Sequence, residues 1–173
     1  MLEPVTDLAE IRRLAQEQRP RFELLQAMLE RSRRLDDAKL DAFVEATAAP
    51  VIAAIDCTQC ANCCRSLDVY LVEADASRLA VGLLIPLDAV ETRYIDHHAA
   101  AEVEEWGKFR QQPCAFLKGN LCSVYEHRPD SCRIYPVFTP DFRWALPDTM
   151  QGAAMCPIIF NVLSRLCDHL LPR

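Results

Sequence analysis

Cys57-Thr-Gln-Cys60-Ala-Asn-Cys63-Cys64 puts four cysteines into eight residues. A C-x2-C turn brings two sulfurs toward one point while its backbone N–H groups face them, which favours the thiolate. Here two such steps overlap, 57/60 and 60/63. Five further cysteines follow, Cys114, Cys122, Cys132, Cys156 and Cys167. The opening Met1-Leu-Glu-Pro-Val-Thr-Asp7 has neither a basic stretch nor an apolar run. No secretory signal is therefore expected, and the cytoplasm is the expected compartment. Thiols in a reducing compartment are metal ligands or redox groups far more often than structural disulfides.

Upstream of Cys57 the pattern is helical. Asp7 followed by Glu10 reads as a helix start with an acidic first turn. Leu8, Ile11 and Leu14 fall on one face, Pro20 is expected to interrupt, and Phe22, Leu25, Met28, Leu29 and Leu35 resume the spacing toward Asp36. Leu40, Phe43, Val44, Val51, Ile52 and Ile55 form the next stripe, with Pro50 expected to kink the helix or open a second one.

Downstream, Leu67–Val72 alternates and reads as a short strand. Helices are expected from Glu73, broken by Pro86, and again over 88–108. Cys114-Ala-Phe-Leu-Lys-Gly-Asn-Leu-Cys122 reads as a hairpin around Lys118-Gly119-Asn120. Side chains alternate along a strand, so a three-residue loop would put Cys114 and Cys122 on one face and a two-residue Gly-Asn loop on opposite faces. If both bind one metal, the three-residue loop is expected. Arg128-Pro-Asp-Ser-Cys132-Arg-Ile-Tyr-Pro136 reads as one helical turn, and a last helix is expected from Pro157 to about Leu170.

The expected architecture is mainly α, with a cysteine-rich metal-binding loop region and a small β-hairpin, α+β at most. Its 173 residues suit a single domain. Within it, 1–56 is a helical N-terminal part, 57–160 the cysteine-rich core and 157–171 the C-terminal helix. A net charge of -6 argues against general nucleic-acid binding, and Arg12, Arg13, Arg31, Arg33 and Arg34 read as the coat of a helix. The apolar runs are too short to span a bilayer. No membrane or nucleic-acid partner is expected, only metal ions and, in one reading, a protein.

Zn2+ and iron–sulfur clusters both take four thiolates. The C-x2-C-x2-C run with a remote Cys156-Pro157 has the spacing of ferredoxin-type cluster ligands. Cys63 and Cys64, however, are adjacent, and diverging side chains would suit two metal positions. Cys57, Cys60, Cys63, Cys64, Cys114, Cys122, Cys132 and Cys156 number eight, which divides into two four-thiolate sites for either metal. Cys167 sits on the apolar face of the last helix and reads as a core thiol. His127 reads as an exposed or capping residue, with a ligand role as the alternative; His97, His98 and His169 read as surface residues. Arg65, Lys118, Arg128 and Arg133, beside the ligand candidates, suit the neutralisation of an anionic thiolate site.

Cys57-x2-Cys60-x2-Cys63-Cys64, Pro113-Cys114-Ala-Phe-Leu, Cys122-Ser-Val-Tyr-Glu-x-Arg-Pro129 and Cys132-Arg-Ile-Tyr-Pro136 occur in order. Together they resemble the CxxCxxCC, or YkgJ-like, cysteine-cluster family over about residues 55–160. The resemblance implies zinc or iron chelation by the same eight cysteines and likewise omits Cys167. One branch of the wider group is similar to flagellin lysine N-methylases, which implies an iron–sulfur enzyme acting on protein lysines. A zinc-stabilised module that presents its helices to a protein partner is the remaining alternative. The residues name no catalytic acid, base or nucleophile.

Overall fold

A computed structural model describes residues 3–31 and 36–172. Arg33, Arg34 and Leu35 of the sequence reading lie outside the described residues. The chain is 64% helical, with nine α-helices and two small antiparallel sheets among the described residues, so it is mainly α with a little β. It divides into two compact units. One is built from the segments through Asp56 and from Pro136 onward, the other from Cys57–Tyr135.

The first unit contains α1 (Leu8–Arg31), α2 (Asp37–Ala54), α8 (Phe142–Gln151) and α9 (Pro157–Leu170). Asp7 and Asp36 start α1 and α2 as expected: Glu10 N donates to Asp7 Oδ1 at 2.8 Å and Lys39 N to Asp36 Oδ1 at 2.8 Å. Such caps satisfy backbone N–H groups that have no partner within the helix. Neither Pro20 nor Pro50 breaks its helix. A proline inside a helix costs about 3 kcal/mol. In α1 that cost is offset because Ile11 and Ala15 before Pro20 and Phe22, Leu25 and Leu29 after it are all buried. In α2 the buried stripe is Leu40, Val44, Ala48 and Val51, while the expected Ile52 is exposed.

α8 was not foreseen in the proline-crowded stretch, and it accommodates Pro147 internally. It is anchored at its start by Asp41, whose carboxylate accepts from Asp141 N (2.8 Å) and Phe142 N (3.0 Å). Arg143, only 1% exposed, donates from Nε to Asp37 Oδ1 at 2.6 Å and from Nη1 to the Leu29 carbonyl. One guanidinium thus serves the last turn of α1 and the first turn of α2, where backbone carbonyls and an acidic side chain offer acceptors. α9 opens with Pro157 at its first position and packs on α1 and α2, with Phe160 edge-on to Phe22 at 6.5 Å between centroids. Asn161 ties down the leading segment by accepting from Val5 N (3.0 Å) and donating to Val5 O (2.8 Å).

In the second unit the expected helix over 88–108 is replaced by α5 (Leu87–Tyr94), β2 (Ile95–Asp96), α6 (His97–Ala101) and β3 (Gly107–Phe109). The central strand β3 pairs antiparallel with β1 (Tyr70–Leu71) and with β2, placing Leu71 opposite Gly107 and Ile95 opposite Phe109. Gly107 is required there, because a Cβ would stand 2.6 Å from Ile95 Cγ2. Leu71, Ile95 and Phe109 join Leu79 of α4 (Glu73–Leu83), Val90, Phe116 and Val124 in one apolar core. Burial of that sheet face outweighs the helical spacing of a fourteen-residue reach from Tyr94 to Gly107. Among the described residues, no helix is long and apolar enough to cross a membrane.

Candidate metal centre

The cysteine loop begins with a tight turn over Cys57–Gln59, in which Cys60 N and Ala61 N both donate to the Cys57 carbonyl, at 3.1 and 2.9 Å. Buried Ala61 then takes a left-handed conformation, φ +50°, and α3 (Asn62–Ser66) follows. A non-glycine residue there costs about 1–2 kcal/mol. The reversal turns the chain so that Cys63 and Cys64 sit in a helical turn. Their sulfurs lie 4.0 Å apart, so they do not diverge as expected for neighbours in sequence. Two sulfurs on one tetrahedral zinc lie roughly 3.8 Å apart, given Zn–S bonds of about 2.3 Å.

The hairpin of β4 (Leu117–Lys118) and β5 (Leu121–Cys122) pairs Leu117 with Cys122 and Lys118 with Leu121. Its loop is therefore the two-residue Gly119-Asn120, not the three-residue loop that a shared site was expected to require. Gly119 has φ +63° at the first central position, the pattern of a type II′ turn. The parity argument fails because strict alternation does not reach Cys114. Leu117 N donates to the Cys114 carbonyl at 3.0 Å, so residues 114–117 form a turn that re-aims Cys114. Cys114 N in turn donates to the Cys64 carbonyl at 2.9 Å, which joins the hairpin's base to the cysteine loop. Phe116 fixes the hairpin to the core against Phe109 (5.4 Å) and Tyr94 (4.8 Å).

Cys132 arrives on α7 (Asp130–Ile134), the short turn expected between Pro129 and Pro136. Ser131 Oγ donates to Tyr70 O at 2.9 Å, and Asp130 N donates to Asp75 Oδ1 at 3.1 Å. Asp75, 2% exposed, also accepts from Val72 N at 3.0 Å and pairs with Arg78, which bridges to Asp130 at 3.0 Å. Reading the sequence missed this buried carboxylate. Its only signal was the acidic residue at the third position of α4.

Three chain segments thus bring Cys64, Cys114, Cys122 and Cys132 into one neighbourhood, close enough to feel one another's charge. A hydrogen bond from Cys63, and then the Arg65 guanidinium, lower the Cys64 thiol to about 6. Burial raises Cys114, assisted by the Cys64 and Cys122 thiolates. Burial also raises Cys122, with the Cys64 thiolate adding to it and the Arg128 charge opposing it. Cys132 is pushed up to about 12, first by burial and then by Cys114, Cys64 and Cys122. Like charges gathered out of water disfavour one another, and a cation among them reverses that.

Of the basic residues expected to neutralise the site, Arg65 and Arg128 act on thiols. Arg128 also lies over the Tyr125 ring at 3.7 Å, and Arg133 is engaged with the Glu126 carbonyl at 2.8 Å. His127 serves packing: its ring lies against Gly82 of α4, where a Cβ would come within 2.5 Å. Cys167 is fully buried in the first unit, its Sγ directed at the Arg21 carbonyl at 3.6 Å. Cys156 also belongs to the first unit, as the buried residue preceding α9; the proline that follows it has a sufficient reason in starting that helix. None of the nine cysteines is in a disulfide.

The donor chemistry fits a thiophilic metal. Among the described residues, no group of three or more His, Cys, Asp or Glu side chains is arranged so that it could hold a metal ion as the side chains stand. The set is of the right kind and in one neighbourhood, and is more open than a formed centre. A family model described as "Putative zinc- or iron-chelating domain" matches residues 56–157. No curated protein and no solved structure matches the chain.

Proposed function

Since this chain belongs to the CxxCxxCC family, we propose that it is a cytoplasmic protein that binds zinc or iron through its cysteine thiolates. The observation that carries this reading is the convergence of Cys64, Cys114, Cys122 and Cys132 from three separate segments, with the Arg65 and Arg128 charges acting on them. We assign these four to one metal position. Cys57, Cys60 and Cys63 belong to the same unit as those four, with Cys63 Sγ 4.0 Å from Cys64 Sγ so that this pair can share a metal. Cys156 is the eighth thiolate that the spacing points to, and eight thiolates at four per metal correspond to two positions.

Bound zinc or iron would supply positive charge that lets buried thiolates stand together. The chain supplies the rest. Arg65 and Arg128 offset the negative charge, the Cys114–Leu117 turn aims Cys114, and the polar contacts of α7 hold Cys132. Because the thiols stand open, loading draws them inward, and metal binding then contributes directly to the stability of the second unit.

Metal analysis of protein prepared with and without oxygen tests this. About two metal atoms per chain are expected for zinc or single irons at the two positions, and about two to four irons per position for iron–sulfur clusters; zinc leaves the protein colourless, whereas thiolate-bound iron colours it. Cys64→Ser should reduce metal content, whereas Cys167→Ser should leave it unchanged and cost roughly 1–3 kcal/mol of stability for a poorly partnered buried hydroxyl. Cys156→Ser counts that thiol in or out of the ligand set. Protein that takes up neither metal under either condition sinks the reading.

A further inference from the structure

We propose that Arg65 is a positioning residue for the metal site, a strap that holds the cysteine loop and the hairpin at a fixed mutual orientation. This rests on the reading that the thiol cluster binds metal. Arg65 follows Cys64 directly, and its side chain reaches residues far away in sequence. Nη1 donates to the Cys60 carbonyl at 2.8 Å, and Nη2 donates to the Gly119 carbonyl at 2.9 Å and to Asn120 Oδ1. Asn120 returns the connection by donating from Nδ2 to the Gln59 carbonyl at 3.3 Å. Both central residues of the hairpin loop are thus tied to the first half of the cysteine loop.

The geometry says why such a strap matters. The loop and the hairpin are already joined once, where Cys114 N meets the Cys64 carbonyl at 2.9 Å. That bond and the packing of Phe116 both hold the hairpin's base, so its loop end can still tilt, and tilting carries Cys122 toward or away from Cys64. The Arg65–Asn120 connection is a tie at the hairpin's opposite end, and holding both ends removes the tilt. The arrangement also needs a guanidinium rather than any cation. Three acceptors in different directions require the rigid fork of arginine, whereas lysine offers one compact charge. Since one side chain serves all three acceptors, its rotamer freedom is lost once rather than three times.

The experiment uses the full chain stripped of metal, with zinc alone as the probe, competed against a chromophoric chelator. Thermal stability of the zinc-free protein is measured in parallel. Arg65→Met is expected to weaken zinc binding about 10–100-fold, the usual effect of losing a group that orients metal ligands. Arg65→Lys, which keeps the charge and loses the fork, should fall close to Arg65→Met. Asn120→Ala should weaken binding several-fold, and the double variant should be little worse than Arg65→Met alone because both changes cut one strap. Wild-type affinity in Arg65→Lys would mean that charge alone matters and would overturn the proposal. So would a loss of zinc affinity that merely tracks a loss of zinc-free stability. If Arg65→Met does not fold, Arg65→Lys and Asn120→Ala decide the matter by the same comparison. Failure of the wild-type chain to take up zinc or iron is a separate result, and it removes the metal reading itself.

Discussion

Replacing Asp75 with alanine should loosen the one helical turn that carries Cys132. The carboxylate accepts from Val72 N at 3.0 Å and from Asp130 N at 3.1 Å, and it pairs with Arg78 while almost wholly buried. Losing the cap at the start of α4 costs about 1 kcal/mol. Losing a carboxylate acceptor from a backbone N–H at α7 costs about 1.5–3 kcal/mol. The ion pair adds little to this sum, because the Arg78 side chain is 34% exposed and keeps Asp130 at 3.0 Å. The total is about 3 kcal/mol. In a Trp144→Phe background, Trp106 is the remaining tryptophan and lies in the second unit. Its fluorescence during urea unfolding therefore reports the right part of the chain. Peptide-resolved alkylation should show Cys132 labelled faster than in the parent, with Cys114 changed much less. Asp75→Asn, which keeps the shape and one acceptor, should fall between. A destabilisation below about 1 kcal/mol, or Cys132 labelling that rises no more than that of Cys114, would refute the role given to Asp75.

The metal-free protein should show a divided thiol chemistry: at pH 7 Cys64, with its pKa near 6, reacts with iodoacetamide, whereas Cys132, near 12, does not. A depressed folded pKa gives Cys64 a stabilising contribution that is present above the ordinary thiol range and lost as pH falls through about 6. For Cys132 the sign reverses, with stability present below the ordinary thiol range and lost as pH rises toward 12. Unfolding midpoints of metal-free protein between pH 5 and pH 9 check the first window, and a Cys64→Ser variant with the same pH dependence as the parent would remove the assignment. Gly119→Ala should cost about 1–2 kcal/mol, since φ is +63° and nothing within 4 Å would meet the new Cβ. Urea unfolding reads it, and a much larger loss would mean that the turn differs from the one described.

Where local chemistry decides, the sequence was readable. Asp7, Asp36 and Pro157 start helices as their side chains and fixed φ dictate, and the turn carrying Cys132 lies between its prolines. Errors came where a distant partner outweighed a local rule. Pro20 and Pro50 are tolerated because apolar residues on both sides of each are buried, and Pro147 sits in a helix whose Phe142 and Leu146 are buried ahead of it. The span 88–108 is split into two helices and two strands because Ile95 of β2 and Phe109 of β3 find each other across the ladder. Alternation could not locate Cys114, because the turn at 114–117 lies outside the ladder. The polar groups that hold the thiols in place were equally hidden: Arg65 is 55 residues from Asn120, and Asp75 is 55 from Asp130. Neither spacing leaves a periodic trace.

The helical unit is assembled from two separated stretches of chain, with the whole cysteine-rich unit between them. During synthesis, α1 and α2 emerge with Ile11, Phe22, Leu25, Leu40, Val44 and Val51 ready for burial, but α8 and α9, which cover them, come last. By then Cys132, the final thiol of the cysteine-rich unit, has already left the ribosome. On the proposed metal-binding reading, zinc or iron would meet every thiol of that unit on the nascent chain, ahead of the closing of the helices. An unstructured span from Cys57 to Tyr135 would oppose that closing by about 4 kcal/mol of loop entropy. A span already folded around its thiols would remove much of that penalty, so metal bound as proposed would also ease the assembly of the helices.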